Sequence, residues 1–394
     1  MPFEYGAARV CAIIPTFAPG ELTLQLVRDL VKWNPKILVY VVDDCTPGDM
    51  GKTALFETIV SVSDRVTLLR TSENKLKAGA LNHALKHVYT GKDIPDVILT
   101  LDDDVVIEPS TVRNLVLELM SCDSVGAACS QCRVYNKNKN LLTRLQGLEY
   151  LGFNAIRLAD EGFYRGPLVM HGMLTAFRGE ALHEAGGFSE GHLIEDYEVT
   201  TRLKENGWSV KSIQNAPAAT FVPETLSRLW RQRTRWSYGG LTVVARAKSP
   251  LAVFQDLQGH TVFVATLGIV AALLFFKSGN YVPESIANWI IGLSLAQLGI
   301  WYVFQLWLMR LYEERDIYDW LIRVTIFPEF LYGYVMTLAL LGSYFFHSFN
   351  VVARGLVPRG GRRVLAVVGA VRTLFRMIGY AERNWGNRSS ARTL

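Results

Sequence analysis

Val97-Ile98-Leu99-Thr100-Leu101-Asp102-Asp103-Asp104 is an apolar, β-branched run that stops abruptly in three carboxylates. Val97–Leu101 has the length and composition of a fully buried strand. Side chains two apart on a strand share a face, so Asp102 and Asp104 point one way and Asp103 the other. Carboxylates this close repel unless a cation sits between them. Hard oxygen donors of this kind suit Mg²⁺ or Mn²⁺ that also holds a diphosphate. The same acids would serve in a solvated turn or a helix cap, so the flanking sequence has to decide.

Upstream, strand and helix patterns alternate. Val10–Ile14 is a short apolar strand running into Pro15-Thr16, and Leu22–Trp33 has helical spacing. Ile37–Val42 is a strand ending in Asp43-Asp44, Ala54–Val62 a helix, Val66–Leu69 a strand and Leu76–Val88 a helix. Helices between near-continuous apolar strands predict an α/β fold with a mostly parallel, doubly wound, Rossmann-like sheet. Ligands of such sheets bind outside the carboxyl ends of the strands. The Pro15-Thr16 turn, Asp43-Asp44 and Asp102–Asp104 all fall there.

The chain has 394 residues, of which 50% are hydrophobic, and a mean hydropathy of +0.17. That excess is uneven. Residues 1–250 have the mixed charge of an ordinary α/β domain, whereas about 260–276, 287–309 and 324–346 are apolar and nearly uncharged. A bilayer core of roughly 30 Å needs about 20 helical residues, so all three are expected spans. Glu329 interrupts the third and should face protein or water. Met1-Pro2-Phe3-Glu4-Tyr5 lacks the features of a signal peptide, which predicts a cytosolic catalytic half. Five scattered cysteines fit a reducing compartment, and Cys129-Ser130-Gln131-Cys132 has neither a second pair nor nearby histidines for zinc. The net charge of +5 is concentrated at the end, where nine arginines face a single acid, Glu382, from residue 350 onward. Beside apolar helices such a tail is expected to meet anionic lipid headgroups rather than nucleic acid. Arg362–Tyr380, punctuated by Arg372 and Arg376, reads as an interfacial helix.

Further motifs follow in order: Ile14-Pro15-Thr16, Val42-Asp43-Asp44-Cys45-Thr46, Lys77-Ala78-Gly79-Ala80-Leu81-Asn82, Phe177-Arg178, Gly186-Gly187-Phe188, Glu195-Asp196 and Gln232-Arg233-Thr234-Arg235-Trp236. Together with Leu101–Asp104 they resemble the membrane-embedded, processive family 2 glycosyltransferases, which include the cellulose, hyaluronan, chitin and poly-N-acetylglucosamine synthases. The resemblance covers roughly residues 8–240. It implies a GT-A domain over 1–240 with an interfacial helix at about 224–256, transmembrane helices over 257–349 and a basic interfacial or cytosolic tail over 350–394.

The resemblance also implies roles. Thr16, Asp43, Asp44, Lys77, Asp102 and Asp103 would contact the nucleotide or donor sugar, and Asp104, with Asp102, would hold Mg²⁺ or Mn²⁺. Asp103 fills a slot where a small neutral residue is common, which leaves open which pair binds. Gln232, Arg233 and Arg235 would meet the pyrophosphate, and Trp236, Phe177 and Arg178 the acceptor. Asp196 of the Glu195-Asp196 pair would be the general base. Direct displacement at an anomeric carbon needs one carboxylate for the acceptor proton and one cation for the leaving diphosphate. That predicts inversion, from an α-linked donor to a β-linked product. Each motif has a blander use: Glu195-Asp196 suits a helix N-terminus, and Trp230–Trp236 suits a headgroup layer.

The expected activity is transfer from a UDP-sugar, N-acetylglucosamine or glucose, to a growing β-linked glycan at the plasma membrane. Single transfer to a lipid carrier is the alternative, and a catalytically dead scaffold a third. Three spans are few for a polymer channel, which leaves room for a homo-oligomer or accessory subunits. Three crossings also conflict with a cytosolic arginine-rich tail, so one segment is expected to be interfacial or re-entrant, or another to cross.

Overall fold

The computed structural model describes residues 5–90, 94–256, 283–357 and 361–380. Its centre is an eight-stranded sheet of order β3-β2-β1-β4-β7-β6-β8-β5. The strands are β1 Val10–Thr16, β2 Leu38–Asp43, β3 Val66–Arg70, β4 Val97–Leu101, β5 Val106–Ile107, β6 Val125–Val134, β7 Leu174–Arg178 and β8 Ser209–Thr220. Every residue of β1 and β4 is buried, which is why both read as unbroken apolar runs rather than alternating ones. β1 pairs in parallel with β2 and β4, and β2 with β3. β7 runs antiparallel between β4 and β6, and β8 returns parallel to β6. The carboxyl ends of β1, β2, β4, β6 and β8 therefore share one edge with the amino end of β7.

Helices α1 Glu21–Trp33, α2 Thr53–Val60, α3 Leu76–Tyr89, α4 Thr111–Met120, α5 Leu141–Ala159 and α6 Gly179–Glu184 surround the sheet, followed by α7 Glu195–Glu205 and α8 Leu226–Val244. One core layer holds Leu26, Val27 and Leu30 of α1 against Val39, Val41 and Leu99. The opposite layer holds Ala80, Leu81 and Ala84 of α3 against Ile13, Ile98 and Phe177. Fully burying each such Leu or Ile contributes about 1.5–3 kcal/mol, so the sheet is a stiff base for whatever its edge carries. Cys129 and Cys132 lie buried within β6.

Beyond α8, the expected interfacial helix of 224–256 is two pieces: α8 and a short helical stretch at 250–256. The expected span 260–276 lies outside the described residues. The 287–309 segment is helix α9, Glu284–Leu308. The 324–346 segment is broken at Ile326, a β-branched residue at φ 60°. On one side is amphipathic α10, Ile317–Thr325, and on the other α11, Phe327–Leu356. Glu329 pairs with Arg323 at 3.0 Å, as an acid in an apolar helix requires. Among the described residues, two helices are long and apolar enough to cross a membrane, 284–311 and 327–356. Helix α12, Arg362–Met377, closes the described chain.

Helix α10 is fastened to the catalytic half by buried charge. Asp319 is wholly buried and meets Lys137 at 2.8 Å and Arg144 at 3.0 Å. Asp316 caps α10 and pairs with Arg144 at 2.7 Å. Asp319→Ala takes a partner from buried Lys137 and part-buried Arg144, a loss of about 3–5 kcal/mol. Thermal unfolding of the detergent-solubilised protein should show a clearly lower midpoint for Asp319→Ala than for the exposed control Glu57→Ala. Equal midpoints would mean that the cluster does not fasten α10.

Candidate active site

Three loops leaving the shared edge contain a non-glycine residue in left-handed conformation: Ala18 after β1, Cys45 after β2 and Leu76 before Lys77. Such backbone costs on the order of 1–3 kcal/mol per residue and persists where the surroundings over-determine it. At Leu76 it turns Lys77, the second residue of α3, across the end of β4.

Lys77 Nζ meets Asp102 Oδ1 at 2.6 Å and Glu195 Oε1 at 3.2 Å, and donates to the Gly172 carbonyl at 2.8 Å. The Gly172 N–H donates to Asp196 Oδ2 at 2.7 Å, and the Tyr197 N–H to Asp196 Oδ1 at 2.8 Å. Glu195 and Asp196 open α7, where free N–H groups favour carboxylates. A Cβ on residue 172 would lie 2.6 Å from Lys77 Nζ and 3.1 Å from Asp196 Oδ2, so any larger residue would displace the lysine ammonium from its place in the cluster. Beneath the cluster, Met170, Thr175, Phe177 and Phe188 line a small cavity, with the two phenyl rings edge to face at 5.6 Å.

The electrostatics separate the two adjacent acids. Burial, then the neighbouring Glu195 charge, push the Asp196 carboxyl well above the usual carboxylate range. Burial acts on Glu195 in the same direction, but Lys77, its own backbone N–H and Arg235 outweigh it and hold that carboxyl below the usual range. For Lys77, burial opposes the charge, while Asp102, Glu195 and Asp196 more than offset it and keep the ammonium protonated. Asp104 is pushed up to about 6, first by burial and then by Asp102 and Asp103 beside it. Its hydrogen-bond partner is the Thr220 hydroxyl at 3.4 Å. That negative charge, on hard oxygen donors, is of the kind a divalent cation prefers, although no three acids, histidines or cysteines converge on one point among the described residues.

Other predicted residues make contacts within the scaffold at the same edge. Thr16 donates to Asp103 Oδ2 at 2.5 Å, which turns Asp103 toward β1. Asp43 accepts from the Thr46 N–H at 2.8 Å and pairs with Arg70 at 3.3 Å. Asp44 accepts from the Lys75 N–H at 2.8 Å, so it holds the turn into α3. The close approach at Gly79 is to the Lys75 side chain.

Two expectations are corrected. Arg178 lies on the opposite edge from the cluster, because β7 is antiparallel and pairs Arg178 with Val97 at the start of β4. Its guanidinium donates to the carbonyls of Leu119, Cys122 and Val125 around the end of α4, at 3.0–3.1 Å. Arg233 is 5% exposed. It points away from the cluster to Glu149 of α5 and Tyr332 of α11, with Gln232 accepting from it at 2.8 Å. Arg235, by contrast, faces the site: its charge acts on Glu195 and Asp196, and it donates to the Leu193 carbonyl at 3.4 Å. Trp236 is half-buried against Leu193, Ile194 and Tyr197. The sequence reading missed Gly172, which joins Lys77 to Asp196; its signal was a glycine directly before an apolar strand.

A family profile described as Glycosyl transferase family group 2 matches residues 97–349. The chain is similar to an N-acetylglucosaminyltransferase of Azorhizobium caulinodans, 27% identical over 73% of this chain and 75% of that one. It is also similar to the poly-beta-1,6-N-acetyl-D-glucosamine synthase of Staphylococcus aureus, 26% identical over 57% of this chain. The match spans 52% of that synthase, about half its length. Among solved structures, the fold resembles a mannosyltransferase of Pyrobaculum calidifontis in complex with GDP-Man and Mn²⁺. That likeness has a TM-score of 0.55 at 21% identity, covering 77% of this chain and 86% of that one. Because the profile runs from the acidic strand β4 through the apolar helices, over more than half the chain, the protein belongs to glycosyl transferase family 2, with a GT-A domain followed by C-terminal helices.

Proposed function

We propose that this glycosyltransferase moves N-acetylglucosamine from its UDP derivative to the end of a growing β-linked glycan, with inversion at the anomeric carbon. The observation that carries the reading is the Asp196 carboxylate, gripped by two backbone N–H groups at the same strand edge as Asp102–Asp104. The names of the two relatives support the donor sugar. Each carboxylate oxygen has more than one acceptor site, so Asp196 keeps a lone pair for an acceptor hydroxyl. That hydroxyl's oxygen forms the new bond to the anomeric carbon as the bond to the diphosphate breaks. Its proton goes to Asp196 and the electron pair leaves with UDP. Asp104, with Asp102 or Asp103, would hold Mg²⁺ or Mn²⁺, which when bound offsets charge on the diphosphate. Lys77 and Arg235 add fixed positive charge beside it, and Trp236 offers a flat face for the acceptor sugar.

Membrane placement is part of the same reading. Helix α8 carries Arg228, Arg231, Arg233 and Arg235, too much charge for a hydrocarbon core. Along α11 the buried stripe Ala339, Ser343, Phe346, Asn350 and Ala353 packs on α8. Phe346 meets the Tyr238 ring at 4.8 Å, and Asn350 donates to the Tyr238 hydroxyl at 3.3 Å. Helix α11 therefore shares the level of α8 at the cytosolic surface of the cell membrane, while α9 spans it. With the expected 260–276 span, which lies outside the described residues, as the companion crossing to α9, α12 and its arginines would lie on the catalytic side.

Purified protein given UDP-N-acetylglucosamine and Mn²⁺ or Mg²⁺ should release UDP and build glycan, and EDTA or Asp104→Ala should stop both. Full turnover in chelator would sink the metal assignment.

Asp196→Asn should cut kcat by about 10²–10⁴ with UDP-sugar affinity nearly unchanged. Because Asp196 acts as the carboxylate and its pKa is raised, kcat should fall on acidification at a pH above the ordinary aspartate value of about 3.9. Glu195→Gln removes the repelling charge, so it should move that limb to lower pH. An unmoved limb in Glu195→Gln, or lost donor binding in Asp196→Asn, would reassign Asp196 to structure.

Cysteine placed at the exposed Thr373 of α12 should resist an impermeant thiol reagent in intact cells. It should label after permeabilisation together with the native exposed Cys122. Labelling of the introduced cysteine from outside would make α11 a span.

A further inference from the structure

We infer that Arg233 is a positioning residue, which fixes the orientation of Trp236 and ties it to α5 and α11 rather than binding the donor diphosphate. Residues two apart on an α-helix point about 200° from each other, so Arg233 and Arg235 of α8 cannot face the same ligand. Residues three apart are neighbours, which puts Trp236 on the Arg233 side. The Arg233 guanidinium lies 4.2 Å from the centre of the Trp236 ring. One of its terminal nitrogens donates to the Glu149 carboxylate, and the same nitrogen is 3.4 Å from the Tyr332 hydroxyl. Tyr332 donates in turn to that Glu149 oxygen at 2.7 Å. Three helices thus converge on one buried guanidinium: α5 through Glu149, α11 through Tyr332 and α8 through Arg233 itself.

The chemistry suits arginine in particular. A flat cation stacks on the indole face while its edge stays bonded to a carboxylate, which an ammonium cannot reproduce. The indole so held packs in the cluster of Leu193, Ile194 and Tyr197, next to the acids of α7. Because Tyr332 belongs to α11, movement of that helix relative to the catalytic half would reach Trp236 directly.

The inference rests on Trp236 being the acceptor platform, and the experiment separates the two ideas. Full-length protein in detergent is assayed with UDP-N-acetylglucosamine and a soluble β-linked N-acetylglucosamine oligomer. The readouts are acceptor KM, product length and UDP affinity. Arg233→Lys keeps the charge and loses the flat stack. The double variant Arg233→Gln with Glu149→Gln removes both charges, so no carboxylate is left buried and unpaired. Both should raise acceptor KM about tenfold and shorten products, as Trp236→Ala should, with UDP affinity within about twofold of wild type, since a desolvated cation–π contact is worth about that much. Arg235→Gln should lose UDP affinity instead. In protein labelled with 5-fluorotryptophan, the ¹⁹F resonance assigned through Trp236→Phe should shift in Arg233→Lys. Loss of UDP affinity with unchanged acceptor KM in the Arg233 variants would return Arg233 to the diphosphate and overturn the inference. So would an unmoved Trp236 resonance. If Trp236→Ala itself leaves acceptor KM and product length untouched, the platform reading fails, and the ¹⁹F shift alone then decides whether Arg233 positions Trp236.

Discussion

One ammonium group organises the edge of this sheet. Asp102 and the adjacent pair Glu195-Asp196 come from distant parts of the chain, and three acids brought this close would repel and resist burial. Lys77 sits among them with Asp102 at 2.6 Å and Glu195 at 3.2 Å. It also grips the Gly172 carbonyl, whose own N–H holds Asp196. Removing that charge would leave strand β4, helix α7 and the loop before β7 with no shared counter-ion.

The charge distribution around Lys77 also separates the roles of neighbouring acids. Glu195, which touches the ammonium, stays ionised; Asp196, held mainly by neutral backbone N–H groups, is the more basic of the two. Adjacent carboxylates pushed apart in pKa are a recurring basis for acid and base assignments. Asp104 lies beyond the reach of Lys77 among its acidic neighbours, where a second positive charge is wanted. In the proposed mechanism Asp196 would serve as the base and Asp104 would help to hold the cation that offsets the leaving diphosphate.

Much of this was legible in sequence because buried parallel strands are written as unbroken apolar runs. The elements from Val10 to Leu101 fall within one or two residues of the expected boundaries, and the clustering of acids at carboxyl ends follows from parallel topology. What was not legible depends on direction and on helix face. Phe177-Arg178 reads as a site motif until β7 proves antiparallel, which carries Arg178 to the far edge while Phe177 stays beneath Asp196. Gln232–Trp236 reads as one basic ligand until helical rotation divides it between Arg235 and Arg233. Gly172 carries its function in backbone atoms, which side-chain motifs cannot signal. The 324–346 segment satisfies a hydropathy window, yet its buried stripe becomes visible only once α8 lies against it.

The proposed reaction is a direct displacement assisted by a single base. Its most direct test is the anomeric configuration of the first bond formed, read by proton NMR on the product made from α-linked UDP-N-acetylglucosamine. A β linkage, with no glycosyl-enzyme adduct trapped on Asp196 or Glu195, is the predicted result. An α linkage, or a sugar covalently attached to either acid, would contradict it.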